Sequence, residues 1–253
     1  MTVKAFMPLL IKSNRIFWVN ILILVLSVLF FVWTDASVRG RRVVSRDVSA
    51  SAPVIFKVNT QREAYAIYAK LGMHGARVVH LNRFVNMVDY FPKEEALSAP
   101  FPLRVSDIRP AYEKGIDSHN WLFIANRTGL VRAVTSVLPD GAFRKMSEAL
   151  SQDFAFTFSK EFFSGYTYDI PWAIATIGSL PVIEEPVVVN VDAGYFMEGD
   201  DPFVTVGELR KKYRNIKVLV LIASADEPDM TAKAKNDLER FEVAFKQTTP
   251  APP

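Results

Sequence analysis

The chain has 253 residues, of which 50% are hydrophobic and 12% aromatic, with a formal net charge of +3 and a pI near 9.0. That length allows one domain with a sizeable core, whereas basic residues spread among nearly as many acidic ones argue against a nucleic-acid groove, so we expect no nucleic-acid partner. Because cysteine is absent, disulfides, zinc–thiolate sites and cysteine nucleophiles are excluded.

An uncharged apolar stretch near the amino terminus, residues 16–33, is long enough to cross a bilayer. At a rise of ~1.5 Å per residue it nearly spans a hydrocarbon core of ~30 Å. Trp18 and Trp33 lie near its two ends, where indole rings favour the headgroup level. We therefore expect a tail over residues 1–15 and a single-pass transmembrane anchor over residues 16–33. A cleaved signal peptide is the alternative, because residues 34–36 form a small-residue cleavage site.

The orientation of this anchor does not follow from charge, since the basic residues on its two sides nearly balance. A folded domain after an amino-terminal anchor most often crosses the membrane, so we expect an extracytoplasmic domain. Residues 34–52 are typical of a linker that contains Ser, Arg and Asp. The arginines of the linker either form a solvated stalk or contact anionic lipid headgroups.

Strand and helix patterns alternate after the linker. Val54–Val58 predicts a strand, and the residues 62–71 predict a helix because its apolar side chains recur at i, i+3, i+4 and i+7. A second strand, which includes residues 78–81, completes a βαβ unit. Prolines interrupt residues 92–110, which predicts an irregular excursion.

The second half of the chain continues the same alternation. Ser118 is the expected cap of a helix that ends at Gly129. An aromatic-rich stretch predicts a strand or hairpin over residues 154–168. The other predicted segments are strands over 130–138, 187–191 and 217–222, a turn over 139–141, helices over 143–150, 205–213 and 230–245, and a Pro-rich tail over 247–253. Together they predict one α/β domain over residues 53–246, with three layers and a mainly parallel sheet.

Polar side chains follow one of the predicted strands at two-residue spacing. In RVVHLNRFVN, residues 77–86, they are His80, Asn82 and Asn86, with Phe84 between the two asparagines. Ligands of open α/β sheets bind beyond the carboxyl ends of the parallel strands, so we expect these side chains to line one pocket.

A second strand end has a similar pattern. VVVNVDAGYF, residues 187–196, offers Asn190 and Asp192. Together the two patterns resemble the arginase (ureohydrolase) superfamily, closest to its UPF0489 branch, which holds a pair of metal ions with Asp-x-His-x-Asp and Asp-x-Asp motifs. The resemblance covers roughly residues 53–246 and implies the ureohydrolase-like fold.

Most ligands of that family are replaced in this chain. Asn82 and Asn86 stand where the family has aspartates, Phe84 stands where it has a histidine, and Gly194 stands where the UPF0489-like pattern has a third acid. The resemblance implies a vestigial pocket that contains no catalytic residue and needs no metal or cofactor. Its expected members are Gln61, His80, Asn82, Phe84, Asn86, Asn190, Asp192 and Glu227.

Simpler interpretations exist for several of these residues. His80 is also typical of a hydrogen-bonded core histidine, and Asp192 is typical of a helix or turn cap at a strand end. Asn82 and Asn86 are also typical of a loop that follows a strand.

Three functions follow from the sequence. The first is a membrane-anchored, catalytically inactive ureohydrolase-like protein that serves as an accessory or structural subunit of a membrane complex, with the bilayer and the other subunits as partners. The second is a C–N bond hydrolase with a single-metal or atypical site, in which Asp192 is ligand or base and Asp226 or Glu227 holds a cationic substrate. The third is a binding module that uses the pocket for a small amide or guanidinium ligand.

Overall fold

A computed structural model describes residues 52–91, 105–151, 156–159, 161–167 and 169–248. The predicted tail, anchor and nearly all of the linker lie outside the described residues, as does most of the Pro-rich tail. Among the residues that are described, no helix is both long and apolar enough to span a bilayer.

One eight-stranded sheet organises the domain. Its strands are β1 (Val54–Val58), β2 (Ala76–Leu81), β3 (Val131–Val137), β4 (Phe156–Ser159), β5 (Phe162–Thr167), β6 (Ile170–Ala175), β7 (Val187–Asp192) and β8 (Ile216–Ile222). The spatial order is β1-β8-β7-β2-β3-β6-β5-β4. In this spatial order, the six strands β1, β8, β7, β2, β3 and β6 are each parallel to their neighbours in that set. Strand β5 is antiparallel to both β6 and β4. The prediction of an α/β fold with a mainly parallel sheet is confirmed.

Helices connect these strands. They are α1 (Gln61–Lys70), α2 (Val105–Glu113), α3 (Trp121–Arg127), α4 (Asp140–Leu150), α5 (Pro202–Lys212) and α6 (Ala232–Gln247), with a 3-10 helix over Ala193–Glu198. Three of the helices begin with a side-chain cap: Thr60 accepts from the backbone of Glu63, Asp201 from that of Phe203, and Thr231 from that of Ala234. Each cap satisfies a backbone donor that the first helical turn leaves free.

The sheet buries apolar side chains on both faces. Val79 lies in a cluster with residues of α5 and α6, such as Phe241. Val78, one residue earlier, lies in a second cluster with Tyr68 of α1 and Trp121 of α3. Successive side chains of a strand point to opposite faces, so the sheet has helices packed on each side.

The expected irregular excursion over residues 92–110 is partly wrong. Residues 92–104 lie outside the described residues, but α2 starts at Val105 and continues through Pro110. A proline inside a helix removes one backbone hydrogen bond. Burial of Ala111 and Tyr112 offsets that loss.

Two helix starts also differ from the prediction. Ser118 does not cap α3: the N-cap residue is Asn120, without a side-chain capping bond, and Asp117 accepts from the backbone of His119 and of Asn120 in the turn that precedes the helix. The expected turn over residues 139–141 is the first turn of α4, which begins at Asp140. An acidic residue in a first helical turn is favoured by the helix dipole.

The aromatic-rich stretch forms the predicted hairpin, β4 with β5. The next strand, β6, was not predicted from the sequence. Pro171 pairs only with Tyr166 of β5, and the ladder between β6 and β3 starts one residue later at Trp172. The missing N–H of proline therefore leaves the ladder with β3 intact.

Candidate functional site

Four parallel strands end side by side at one edge of the sheet, which we call the carboxyl edge. They are β1, β8, β7 and β2, in spatial order. The backbone N–H of Ala223 donates to Val58 at 2.9 Å and that of Ala225 donates to Asn59 at 2.8 Å, which holds the loop after β8 against the end of β1. The polar residues that follow these strands are thus brought together, as the sequence predicted for parallel strands.

Asp192 lies at the centre of this edge. Its Oδ2 accepts a hydrogen bond from Gln61 Nε2 at 2.8 Å and one from Ser224 Oγ at 2.6 Å, and Gln61 Nε2 also lies 2.9 Å from Ser224 Oγ. None of the three side chains is exposed to solvent. We call Gln61, Asp192 and Ser224 the Asp192 cluster.

The second oxygen of Asp192 holds the backbone. Oδ1 accepts from the N–H of Gly194 at 2.7 Å, so Asp192 is the N-cap of the 3-10 helix. A cap was one of the two interpretations that the sequence allowed for this residue, and the structure shows it. Both carboxylate oxygens therefore already have protein donors.

Burial controls the protonation of Asp192. It raises the pKa of the carboxyl from 3.8 to about 7, and the negative charge of Glu227 acts in the same direction. The hydrogen bonds from Ser224, Gly194 and Gln61 oppose the shift without cancelling it. Near neutral pH this carboxyl is therefore divided between its two protonation states.

The two asparagines after β2 bind one another. Asn82 Nδ2 donates to Asn86 Oδ1 at 3.1 Å, and Asn82 Oδ1 accepts from the backbone N–H of Arg83 at 2.7 Å. Asn86 Nδ2 donates to the carbonyl of Ser118. Asn86 has a φ of 54°, a left-handed conformation that asparagine tolerates better than most residues. Both amides therefore act as a brace for the loop, a role that two repelling carboxylates would fill poorly.

Gly194 leaves little room for a side chain. A Cβ atom at this position would be 3.0 Å from Asn82 Oδ1 and 3.1 Å from Asp192 Oδ1, closer than ordinary van der Waals contact. The third acid of the family pattern would therefore require both neighbouring side chains to shift.

His80 and Asn190 lie deeper, as neighbours on β2 and β7. Asn190 Oδ1 accepts from the hydroxyl of Tyr68 at 2.8 Å, and the His80 ring packs edge-on against Trp121 with centroids 5.5 Å apart. Burial lowers the pKa of His80 to about 3, although the nearby Asn86 amide opposes the shift. Neither ring nitrogen has a partner at hydrogen-bond geometry, so His80 is a neutral core residue but not a hydrogen-bonded one.

Arg83 covers the outer side of the edge. Its guanidinium contacts both oxygens of Asp229 at 2.6 Å and Glu227 Oε2 at 2.9 Å. Burial raises the pKa of Glu227, and the nearby Arg83 guanidinium opposes this shift. The hydrogen bond to Asp229 raises the pKa of Arg83. We call Arg83, Glu227 and Asp229 the Arg83 clasp.

Phe84 is separate from the other expected pocket residues. It is 39% exposed, its ring packs edge-on against His119, and the Arg83 guanidinium lies 4.6 Å from the ring centroid. The two-residue spacing that placed Phe84 in the pocket holds only inside a strand, and β2 ends at Leu81. After Leu81 the chain turns, so the side chain of Arg83 rather than that of Phe84 contacts Glu227, whose charge acts on Asp192.

Sequence reasoning also missed Ser224 and Tyr68 as members of the site. Ser224 has a φ of 46°, a conformation uncommon outside glycine, and no local pattern in the sequence announces it. Tyr68 lies on the buried face of α1, and only the hydrogen bond from its hydroxyl to Asn190 makes it a member of the site.

These residues do not fit a pair of divalent metal ions. Such ions need several anionic oxygens, and here Asn82, Asn86 and Asn190 offer only amides while Asp192 is occupied by protein donors. In the described part of the chain, no group of three or more His, Asp or Glu side chains is arranged to hold a metal.

Comparison of the sequence with models of known protein families finds no match, and comparison with curated proteins finds none either. The ureohydrolase resemblance therefore stays a hypothesis that depends on the strand-end residues themselves.

A groove of about 490 Å³ lies elsewhere in the described part of the chain. Its floor is a row of paired residues on β3, β6, β5 and β4, namely Thr135, Ala173, Ser164 and Thr157. No residue expected from the sequence in the vestigial pocket lines this groove.

Proposed function

We propose that this chain is a membrane-anchored, catalytically inactive protein of ureohydrolase-like architecture that serves as an accessory or structural subunit of a membrane complex. One observation carries the proposal: the polar side chains at the carboxyl edge are buried and hydrogen-bonded to one another. Gln61, Asn82, Asn190 and Asp192 have no solvent exposure, and each makes a hydrogen bond to another protein side chain.

A hydrolase needs the opposite arrangement. Its base or metal must reach a bound substrate, and its reactive group must not be consumed by fixed protein contacts. Here the carboxylate of Asp192 accepts from two buried side chains and one backbone N–H, and the Arg83 clasp lies beside it. The same contacts disfavour a small-ligand site at this edge.

The role as a subunit is tested with the full chain in its native membranes. Asp192→Asn keeps the shape of the cluster, and Gln61 Oε1, which has no partner, can accept from the new amide after a side-chain flip. We expect the parent, Asp192→Asn and the control Glu239→Gln, an exposed residue of α6 outside the carboxyl edge, to recover the same partner proteins from solubilised membranes. Loss of an amidase or ureohydrolase activity in Asp192→Asn alone would support the hydrolase instead.

The anchor is a separate part of the proposal, with the folded domain on the extracytoplasmic side. Carbonate extraction should leave the protein in the membrane pellet, whereas a mature amino terminus at Ser37 would establish the cleaved signal peptide. Because the chain has no cysteine, Ala225→Cys creates a single thiol on an exposed loop. A membrane-impermeant maleimide should label this thiol in intact cells.

A further inference from the structure

We infer that the amino edge of the sheet, opposite the carboxyl edge, is a basic surface that docks on anionic lipid headgroups. The inference depends on the proposed function only in that the chain is held at a membrane. It concerns residues of the folded domain and not the arginines of the linker.

The amino edge is the set of loops that precede the parallel strands. Gly75 N donates to Gly129 O at 3.0 Å, which joins the loop before β2 to the loop before β3. Val187 N donates to Asn215 O at 3.0 Å, which joins the residues before β7 to the loop before β8. The carboxyl-terminal ends of α1, α3 and α5 lead into these loops, so they lie at the same edge.

Positive charge is concentrated there. We define the basic edge by six residues that lie at helix ends, in the loop before β8 or at strand starts: Lys70, Arg77, Arg132, Lys211, Lys212 and Arg214. Lys70, Arg132, Lys211 and Arg214 are exposed. The acidic side chains nearby are fewer: Glu185 is shared by Arg77 and Arg132, Glu208 lies 3.6 Å from Lys211, and Glu184 is exposed.

The helix dipole explains only part of this pattern. Lysine and arginine in a last helical turn are favoured by the carbonyl groups there, which accounts for Lys70, Lys211 and Lys212. Arg77 and Arg132 are strand residues, and Arg214 lies in a loop, so the dipole gives no reason for them. Glu185 pairs with both strand arginines but neutralises only one of their two charges, so positive charge remains in excess there, as a surface for an anionic partner would need.

The position of the chain start favours lipid as the partner. The parallel strand β1 begins at Val54, so the chain preceding it attaches at the amino edge. Eighteen residues, 34–51, separate the apolar stretch 16–33 from the first described residue, Ala52. A tether of that length keeps the attached edge within reach of the bilayer, where basic side chains attract anionic headgroups within a Debye length.

The test uses the full chain in lipid vesicles. The exposed thiol of either Gln247→Cys, at the end of α6 beside the amino edge, or Ala225→Cys, at the carboxyl edge, carries a fluorophore. Arg210 Nη2 donates to Phe245 O at 3.3 Å, which places the end of α6 beside the end of α5. A quencher on the lipid headgroups then reports which edge is close to the bilayer.

In vesicles in which about a third of the lipid is phosphatidylglycerol, we expect the label at residue 247 to be quenched at least about twofold more than the label at residue 225. In neutral phosphatidylcholine vesicles, or at about 1 M salt, where the Debye length is ~3 Å, the difference should shrink. The triple substitution Lys211→Gln, Lys212→Gln and Arg214→Gln should shrink it in the same way on anionic vesicles. The charge-matched control Arg62→Gln, Arg144→Gln and Lys145→Gln should retain it.

Equal quenching of the two labels in anionic vesicles would overturn the inference. A triple substitution at the basic edge that leaves the difference between the two labels unchanged would also overturn it. The same holds if the triple substitution releases a partner protein regardless of lipid charge. Flotation with neutral vesicles reports the anchor independently. A chain that fails to float with them refutes the anchor, and the comparison of the two labels on anionic vesicles still decides the role of the basic edge.

Discussion

The two edges of the parallel sheet differ in both chemistry and construction. At the carboxyl edge, buried amides and one carboxylate bind each other, and the exposed side chains around them include the acids Asp140, Asp201, Asp226 and Asp229. At the amino edge the charged side chains are mostly Lys and Arg and lie on the surface. The usual ligand edge of an α/β sheet is closed here, whereas the opposite edge is open and charged.

This difference separates fold from function. A parallel sheet places helix starts at one edge and helix ends at the other, which favours acids at the first and bases at the second whatever the protein does. The features that this rule leaves unexplained are the informative ones. They are the dense hydrogen bonding around Asp192 and the strand residues Arg77 and Arg132, which carry one more charge than their shared partner Glu185 neutralises.

Gly194→Asp should have the largest effect, because it forces a side chain into the closed edge. The new Cβ would lie 3.0 Å from Asn82 Oδ1, and the added carboxylate would be placed beside the buried carboxyl of Asp192, whose Oδ1 is 3.1 Å from that Cβ. We expect a loss of about 3–5 kcal/mol in the free energy of unfolding, measured by urea titration. Gly178→Asp is the control, since nothing lies within 4 Å of a Cβ there. Equal stability of the two variants would show that the edge is open.

Asp192→Asn should have the next largest effect and should stabilise the domain at high pH. Because burial raises the pKa of Asp192 to about 7, the native state holds this proton more tightly than the unfolded chain does. Its contribution to stability is fully present below pH 4 and is lost as the pH rises through 7. The variant escapes that loss, so we expect a gain of about 2–4 kcal/mol at pH 8 and little change near pH 4.

Urea titrations of the parent and of Asp192→Asn at several pH values measure this gain. Asp226→Asn is the matched control, because Asp226 is an exposed carboxyl in the same loop. A difference between the parent and Asp192→Asn that does not change with pH would mean that Asp192 is ionised and well solvated, as an accessible base would be.

Arg83→Lys should have the smallest effect of the three. Lysine keeps the charge but cannot contact Asp229 through two nitrogens while also reaching Glu227. Glu227 is largely buried and loses a donor, so we expect a cost of about 1 kcal/mol, since water screens part of the interaction. Thermal unfolding measures it against Arg62→Lys. Equal melting temperatures of the two variants would mean that the contacts of the Arg83 clasp are fully screened by solvent.

The sequence predicted the parallel core because its strands are apolar runs. The stretches that became β1, β2, β3, β7 and β8 are rich in Val, Ile and Leu, which marks strands covered on both faces. Both Asn190 and Asp192 could be placed beside the end of β2 for the same reason. Residues outside the regular strands were harder to place.

Phe84 was expected in the pocket, but Arg83 lies at the site in its place. The alternation of side chains holds only within a strand, and β2 ends at Leu81. Ser224 depends on a positive φ that no residue pattern signals. The helix that contains Pro110 was missed because proline disfavours a helix locally, while burial of the neighbouring side chains decides the fold.

The closed carboxyl edge is tested most directly by adding Mn²⁺ to the purified full chain and following thermal unfolding of the parent beside Asp192→Asn. A metal that binds only the native state at a hundredfold excess over its Kd would stabilise the protein by about 2.7 kcal/mol. We predict no shift in Tm for either protein, and elemental analysis with well under one ion per chain. A rise in the Tm of the parent that Asp192→Asn lacks, with two ions bound per chain, would contradict a closed, hydrogen-bonded edge.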